Sequence, residues 1–167
     1  MLYEGVGRKL VLALKHGDRL DIAPLAAGWM MRAGGDLVRE ANLIVPAPMH
    51  WRRLARRRFN QAGELARALA IEAGAPHAFA ADLLTRGRAT PTQDGKTRAE
   101  RMENVSGVFG VAPAWRASVP GGKILLVDDV MTTGATLSEC AEVCRAAGAA
   151  EVNVLVMARV ARGDWPT

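Results

Sequence analysis

With 167 residues, half of them apolar and both charge signs well represented, the chain is expected to fold as one domain with a sizeable core, which excludes a disordered polyelectrolyte. Its net charge of +5 and pI near 9.9 suit anionic ligands such as phosphates, and nucleic acid. No apolar run reaches the roughly 18 residues of a membrane span, and no signal-peptide pattern opens the chain, so no membrane insertion is expected and a cytoplasmic location is.

In chain order, residues 3–15 read as an amphipathic helix with Val6, Leu10, Val11 and Leu14 on one side, ended by Gly17. Residues 22–38 read as a second helix, with Pro24 tolerated in its first turn and Leu25, Trp29 and Arg32 mixing apolar and basic character. Residues 43–45 form a short buried strand ended by Pro46, and a helix follows over 61–73, its turns marked by Leu65, Leu69 and Glu72. Leu83 and Leu84 lie in a short strand. Residues 86–107 are polar and rich in turn formers; structureless segments longer than about 12–15 residues often act as lids.

The turn Gly121-Gly122 then leads into residues 123–127, an apolar run without polar alternation. That pattern predicts a central parallel strand buried on both faces. A helix over 137–147 carries Cys140 and Cys144 on an apolar stripe with Leu137, Ala141 and Ala147, and both cysteines read as small buried residues. His16, His50 and His77 are scattered, and no metal-ligand spacing is present. Residues 151–158 form the last strand. Strands alternating with helices predict an α/β fold, a parallel twisted sheet with flanking helices.

The stretch 124–136 carries the chemistry. An apolar strand runs straight into two adjacent carboxylates, Asp128 and Asp129, where ligands bind in open α/β sheets. Burying them unpaired is costly, and ribose hydroxyls or a divalent cation would relieve that cost. The loop of Thr132, Thr133, Gly134, Ala135 and Thr136 lets backbone N–H groups approach an anion. Gly134 tolerates positive φ, the threonines add hydroxyls, and the following helix start favours a phosphate. These parts suit a sugar with vicinal hydroxyls and a 5-phosphate.

A second charged stretch, 52–58, has five arginines in seven residues between Trp51 and Phe59. Arg56, Arg57, Arg58 and Phe59 are candidates to pair phosphates and stack bases of single-stranded nucleic acid. The alternative is a basic segment serving only a diphosphate or an acidic neighbour.

The stretch 124–136 resembles the phosphoribosyl-diphosphate (PRPP) signature of type I phosphoribosyltransferases. Residues 45–61, with Phe59-Asn60-Gln61, and residues 93–104 with Phe109 resemble the ComF family, phosphoribosyltransferase-like proteins linked to DNA uptake in natural competence. The resemblance spans nearly the whole chain. It implies a type I phosphoribosyltransferase fold, with a small helical hood over 1–40 and an α/β core over 41–162 bearing a mobile loop at about 86–107. ComF proteins usually begin with a cysteine-rich zinc-binding module, and this chain is expected to lack it. Arg58 and Lys96 stand where the family has Gly and Leu.

By the same resemblance Asp128 and Asp129 would bind the ribose hydroxyls, residues 132–136 the 5-phosphate, and Pro46, Ala47, Pro48 and Met49 the diphosphate, with Arg52 or Arg53 nearby. Lys96, Arg98 and Arg101 on the mobile loop would reach the diphosphate, and Mg²⁺ would arrive bound to it. Hood residues such as Lys15 and His16 would face the acceptor. The implied function is phosphoribosyl transfer or binding, with PRPP or another phosphoribosyl ligand as partner. The alternative is a non-catalytic accessory of the competence machinery that binds single-stranded DNA or senses nucleotides. Oligomeric state stays open, a dimer being compatible.

Overall fold

A computed structural model describes residues 1–16, 19–49, 59–87 and 107–160, without the His16 side chain. In chain order its elements are α1 (Gly5–His16), α2 (Ile22–Glu40), β1 (Leu43–Pro46), α3 (Gln61–Glu72), β2 (Leu84–Arg86), β3 (Phe109–Val111), β4 (Lys123–Met131), α4 (Ala135–Ala146) and β5 (Glu151–Arg159). Single 3-10 turns lie at Pro76–Ala78 and Pro113–Trp115. Gly17 and the segments 50–58 and 88–106, which hold the arginine run and most of the expected mobile loop, lie outside the described residues.

The main sheet has the order β1-β4-β5 and is parallel throughout. Leu43 pairs with Ile124 and Pro46 with Val127; on the other side Lys123 pairs with Glu151 and Met131 with Arg159. β4 therefore continues four residues past the expected strand end at Val127. β5 keeps offering ladder partners after β1 has stopped at Pro46, and that pairing carries Asp128 and Asp129 into the strand. β2 and β3 form a separate antiparallel pair, Leu84 against Val111 and Arg86 against Phe109, which the expectation of strands alternating with helices did not include. Arg86, expected at the start of the mobile loop, is a strand residue.

Alternation along the central strands sorts the core into two layers. Ile44, Leu125 and Val127 face one side, where they meet Val11 and Leu14 of α1, Ala26 and Met30 of α2, and Leu65 and Leu69 of α3. Leu43, Val45, Ile124 and Leu126 face the other, with Leu84, Phe109, Leu137, Cys140 and Cys144. A sheet buried on both faces is what an unbroken apolar run requires. Both cysteines are buried, and burial pushes the Cys144 thiol up to about 11 and the Cys140 thiol higher still, so neither is a reactive thiolate. The apolar stripe of α1 is narrower than expected: Val11 and Leu14 are fully buried, whereas Val6, in the first turn, is 72% exposed. Leu25 and Trp29 point away from the core, at 61% and 37% exposure.

Leu126 has no exposed surface in the middle of β4, so Leu126→Ala is expected to lower unfolding free energy by about 3 kcal/mol, through lost burial and the cavity left behind. Leu25→Ala should change it by less than about 0.5 kcal/mol. Urea denaturation of the two variants beside the parent checks both.

Candidate functional site

The alternation that sorts the core also decides where the carboxylates go. Asp129 continues the series Leu125, Val127 and turns toward the helical layer of α1, α2 and α3. There Lys15, near the end of α1, places its Nζ 3.0 Å from Asp129 Oδ2. The pair is only partly wet, the side chains being 23% and 11% exposed, so it is screened less than a surface ion pair. Asp128 continues the series Ile124, Leu126 and turns toward the α4 side. Its Oδ1 accepts the Asp129 backbone N–H at 2.8 Å. Burial and the neighbouring Asp129 charge push the Asp128 carboxyl up to about 8, with the Asp129 N–H and Lys15 opposing. The two carboxyl groups thus sit in unlike surroundings, one against an ammonium and one where burial and its neighbour's charge favour the proton.

The loop after β4 bends as its composition implies. Gly134 sits in the left-handed region (φ 79°, ψ 0°) at the entry to α4, a conformation costly for residues with a Cβ. Thr133 Oγ1 accepts the Ala135 N–H at 3.4 Å, and the Gly134 carbonyl accepts the Ser138 N–H at 2.8 Å. The helix starts at Ala135, two residues earlier than expected. Thr132, Thr133, Gly134, Ala135 and Thr136 line a cavity of about 90 Å³ whose far wall is Asp128. Free N–H groups at the start of a helix favour an anion there.

A second cavity, of about 170 Å³, shares Asp128 and Thr136 with the first and extends to the other side of the pair. Ala47, Pro48 and Met49 line it from the turn after β1; Pro46 lies behind them, buried as the last strand residue. Lys15, Arg86, Asn60 and Gln61 complete its walls. Two bonds fix the turn. The Ala47 N–H donates to the Val127 carbonyl at 2.8 Å, and Asn60 Nδ2 donates to the Ala47 carbonyl at 3.2 Å. Asn60 is also the N-cap of α3, its Oδ1 accepting the Ala62 N–H at 3.2 Å. One side chain thus locks the turn to the helix start. Arg86 packs over the Phe109 ring, its guanidinium carbon 5.3 Å from the centroid.

The sequence-derived site residues divide accordingly. Asp128, Asp129, the 132–136 loop and Ala47, Pro48 and Met49 come together around two adjoining cavities that share Asp128 and Thr136. Phe59 is half-buried beside Asn60 and lines neither. Arg52, Arg53, Arg56, Arg57, Arg58, Lys96 and Arg101 lie outside the described residues. Sequence reasoning missed Asn60, Gln61 and Arg86 as wall residues. Asn60 had a readable signal, an Asn directly before a helical run; the roles of Gln61 and Arg86 depend on tertiary contacts. Among the described residues no three His, Cys, Asp or Glu side chains converge into a metal cage.

The raised Asp128 pKa has a stability consequence. The folded state holds this proton above the ordinary carboxyl range, so the group's contribution to stability falls as pH rises from about 4 to about 8. Asp128→Asn removes that loss. Its melting temperature should exceed the parent's at pH 8–9, with the difference shrinking toward pH 4, as thermal melts across that range would reveal.

Residues 56–164 match the phosphoribosyl transferase domain. The chain is 34% identical over 116 residues to competence protein F of Haemophilus influenzae, covering 70% of this chain and 49% of that protein. It is 34% identical over 155 residues to the DNA utilization protein YhgH of Salmonella typhi, covering 90% and 66%. The chain therefore spans about half to two thirds of the length of these curated relatives. Among solved structures, the allosteric regulatory enzyme of purine biosynthesis superposes with a TM-score of 0.53 at 20% identity, over 81% of this chain and 25% of that one, a likeness of fold. With a parallel sheet, flanking helices and a domain match over most of its length, this chain belongs to the phosphoribosyl transferase domain family, as a ComF-type member.

Proposed function

We propose that this protein binds a phosphoribosyl ligand, PRPP in the first instance, and handles its phosphoribosyl group. The observation that carries the reading is the pair of cavities meeting at Asp128 and Thr136. The smaller, at the start of α4, suits the 5-phosphate. Asp128 and Asp129 suit the ribose hydroxyls, which donate to carboxylate oxygens. The larger, between the 46–49 turn and α3, suits the diphosphate on C1, with Lys15 and Arg86 as its cationic walls. Lys96 and Arg101 enter the proposal from sequence alone.

Transfer of the sugar builds positive charge on the ribose as the diphosphate departs. Asp128 and Asp129 lie where the sugar charge would develop, and the cationic walls lie where the leaving anion would be held. Mg²⁺ fits this site as an ion carried by the ligand. Asp129 is already paired with Lys15 and Asp128 favours its proton, so the ion would be held chiefly by the oxygens of the diphosphate. When bound, the ion would neutralise charge on the diphosphate. The acceptor is set by groups this geometry does not specify.

Replacing both carboxyl groups, as Asp128→Asn with Asp129→Asn, removes the ion-paired acceptor and the buried carboxyl that would face the two hydroxyls. PRPP affinity should drop at least about tenfold, since a hydrogen bond to a charged group contributes about 1.5–3 kcal/mol. Calorimetry with Mg²⁺ and PRPP measures it, and unchanged affinity in the folded double variant would sink the reading. Product analysis with PRPP and candidate bases then separates transfer from binding.

A second reading, an accessory role in DNA uptake, is favoured by the names of the relatives, competence protein F and DNA utilization protein. It assigns single-stranded DNA to Arg56, Arg57, Arg58 and Phe59. Replacing the three arginines with Ala should lower single-stranded DNA affinity and flatten its salt dependence by about three phosphate contacts. A parent protein that gives no gel shift at low salt would remove this reading. Among the described residues no helix is long and apolar enough to cross a membrane.

A further inference from the structure

Gln61 is the first residue of α3 and lines the larger cavity, yet it is 1% exposed and its Nε2 has no hydrogen-bond partner among the described residues. A buried amide without a partner destabilises the fold, and native structures rarely leave one so. Its neighbour Asn60 is engaged at both ends of its amide, donating to the Ala47 carbonyl and accepting the Ala62 N–H. The unused donors therefore belong to Gln61, at the corner where the 46–49 turn meets the start of α3. The surroundings favour an acceptor rich in oxygen and negative charge: Lys15 and Arg86 on the same walls, and the positive end of the α3 dipole beneath. The last torsion of a Gln side chain is broad, so the amide can turn toward an arriving oxygen at little cost.

Resting on the phosphoribosyl reading above, we propose that Gln61 is a specificity-determining residue whose side-chain amide donates to the diphosphate on C1, so that the site distinguishes a 1-diphosphorylated pentose 5-phosphate from pentose 5-phosphate alone. The smaller cavity, assigned to the 5-phosphate, does not have Gln61 among its walls. Gln61 matches the diphosphate by donor geometry, whereas the cationic walls match it by charge.

The test uses the full chain and three probes: Mg²⁺ with PRPP, inorganic diphosphate, and ribose 5-phosphate. Gln61→Met keeps the length and removes the donors; Gln61→Glu keeps the shape and adds a repelling charge. Calorimetry should show PRPP and diphosphate binding weakened about tenfold in Gln61→Met and further in Gln61→Glu, with ribose 5-phosphate within about twofold of the parent. The unliganded melting temperature of Gln61→Met should equal or exceed the parent's, because an unsatisfied buried amide has been removed. Unchanged diphosphate affinity, a parallel loss for ribose 5-phosphate, or a fall in melting temperature in both variants would overturn the role. Asp128→Asn with Asp129→Asn is the reference. If it loses ribose 5-phosphate while the Gln61 variants keep diphosphate, the role of Gln61 fails and the phosphoribosyl reading stands. A parent that binds none of the three probes overturns both.

Discussion

Two adjacent residues of a strand cannot face the same way, and the site depends on this constraint. Asp128 and Asp129 end a run that is buried on both faces, so each carboxylate is delivered to a different layer of the molecule. One meets a lysine from α1, and the other meets a carboxyl-raising environment on the α4 side. Had the strand ended at Val127, both could have swung freely into solvent. Pairing with β5 as far as Met131 holds them in alternation, and holds them unequal. Carboxyl groups delivered to two faces of one strand end offer oxygens in two directions, which suits a sugar with two neighbouring hydroxyls.

The Lys15–Asp129 pair ties the N-terminal helices to the chemistry. α1 packs through Val11 and Leu14 against the helical layer, and its last turn then reaches the end of β4. A ligand hydroxyl that bonds Asp129 has to share the carboxylate with an ammonium already in place. Breaking a half-buried pair by removing the lysine would leave an uncompensated charge beside Asp128, so α1 stabilises the empty site as well as walling it. Sequence at the end of α1 and chemistry at the end of β4 are therefore not independent.

Much of this was legible from residues alone, for identifiable reasons. The central strand, the two buried cysteines and the left-handed glycine follow from local rules: an apolar run, a helical stripe, and a residue that tolerates positive φ. The parallel sheet followed from the alternation of strands and helices. What escaped was set by contacts between distant segments. β4 is longer than its apolar run because β5 supports it, a property no single strand displays. Arg86 reads as the start of a polar loop until Phe109, 23 residues on in sequence, supplies a strand and a ring for it to pack over. Val6 reads as part of an apolar stripe, but its side chain lies outside the packed face of α1, 72% exposed. Gln61 could be read as an ordinary helix start, since nothing local says that its amide will be buried without a partner.

The mismatch between β1 and β4 has a further meaning. β1 stops at Pro46, opposite Val127, while β4 continues to Met131, so the sheet lacks a corner about 13 Å long at 3.3 Å per residue. The larger cavity lies between the turn that follows β1 and the Asp128-Asp129 stretch of β4. Capacity is therefore set by where β1 ends rather than by the bulk of any lining side chain. A proline at that point, with no N–H to offer, helps to fix the end. Among proteins built this way, a one-residue change in the length of β1 should alter the reach of the site more than most substitutions within it.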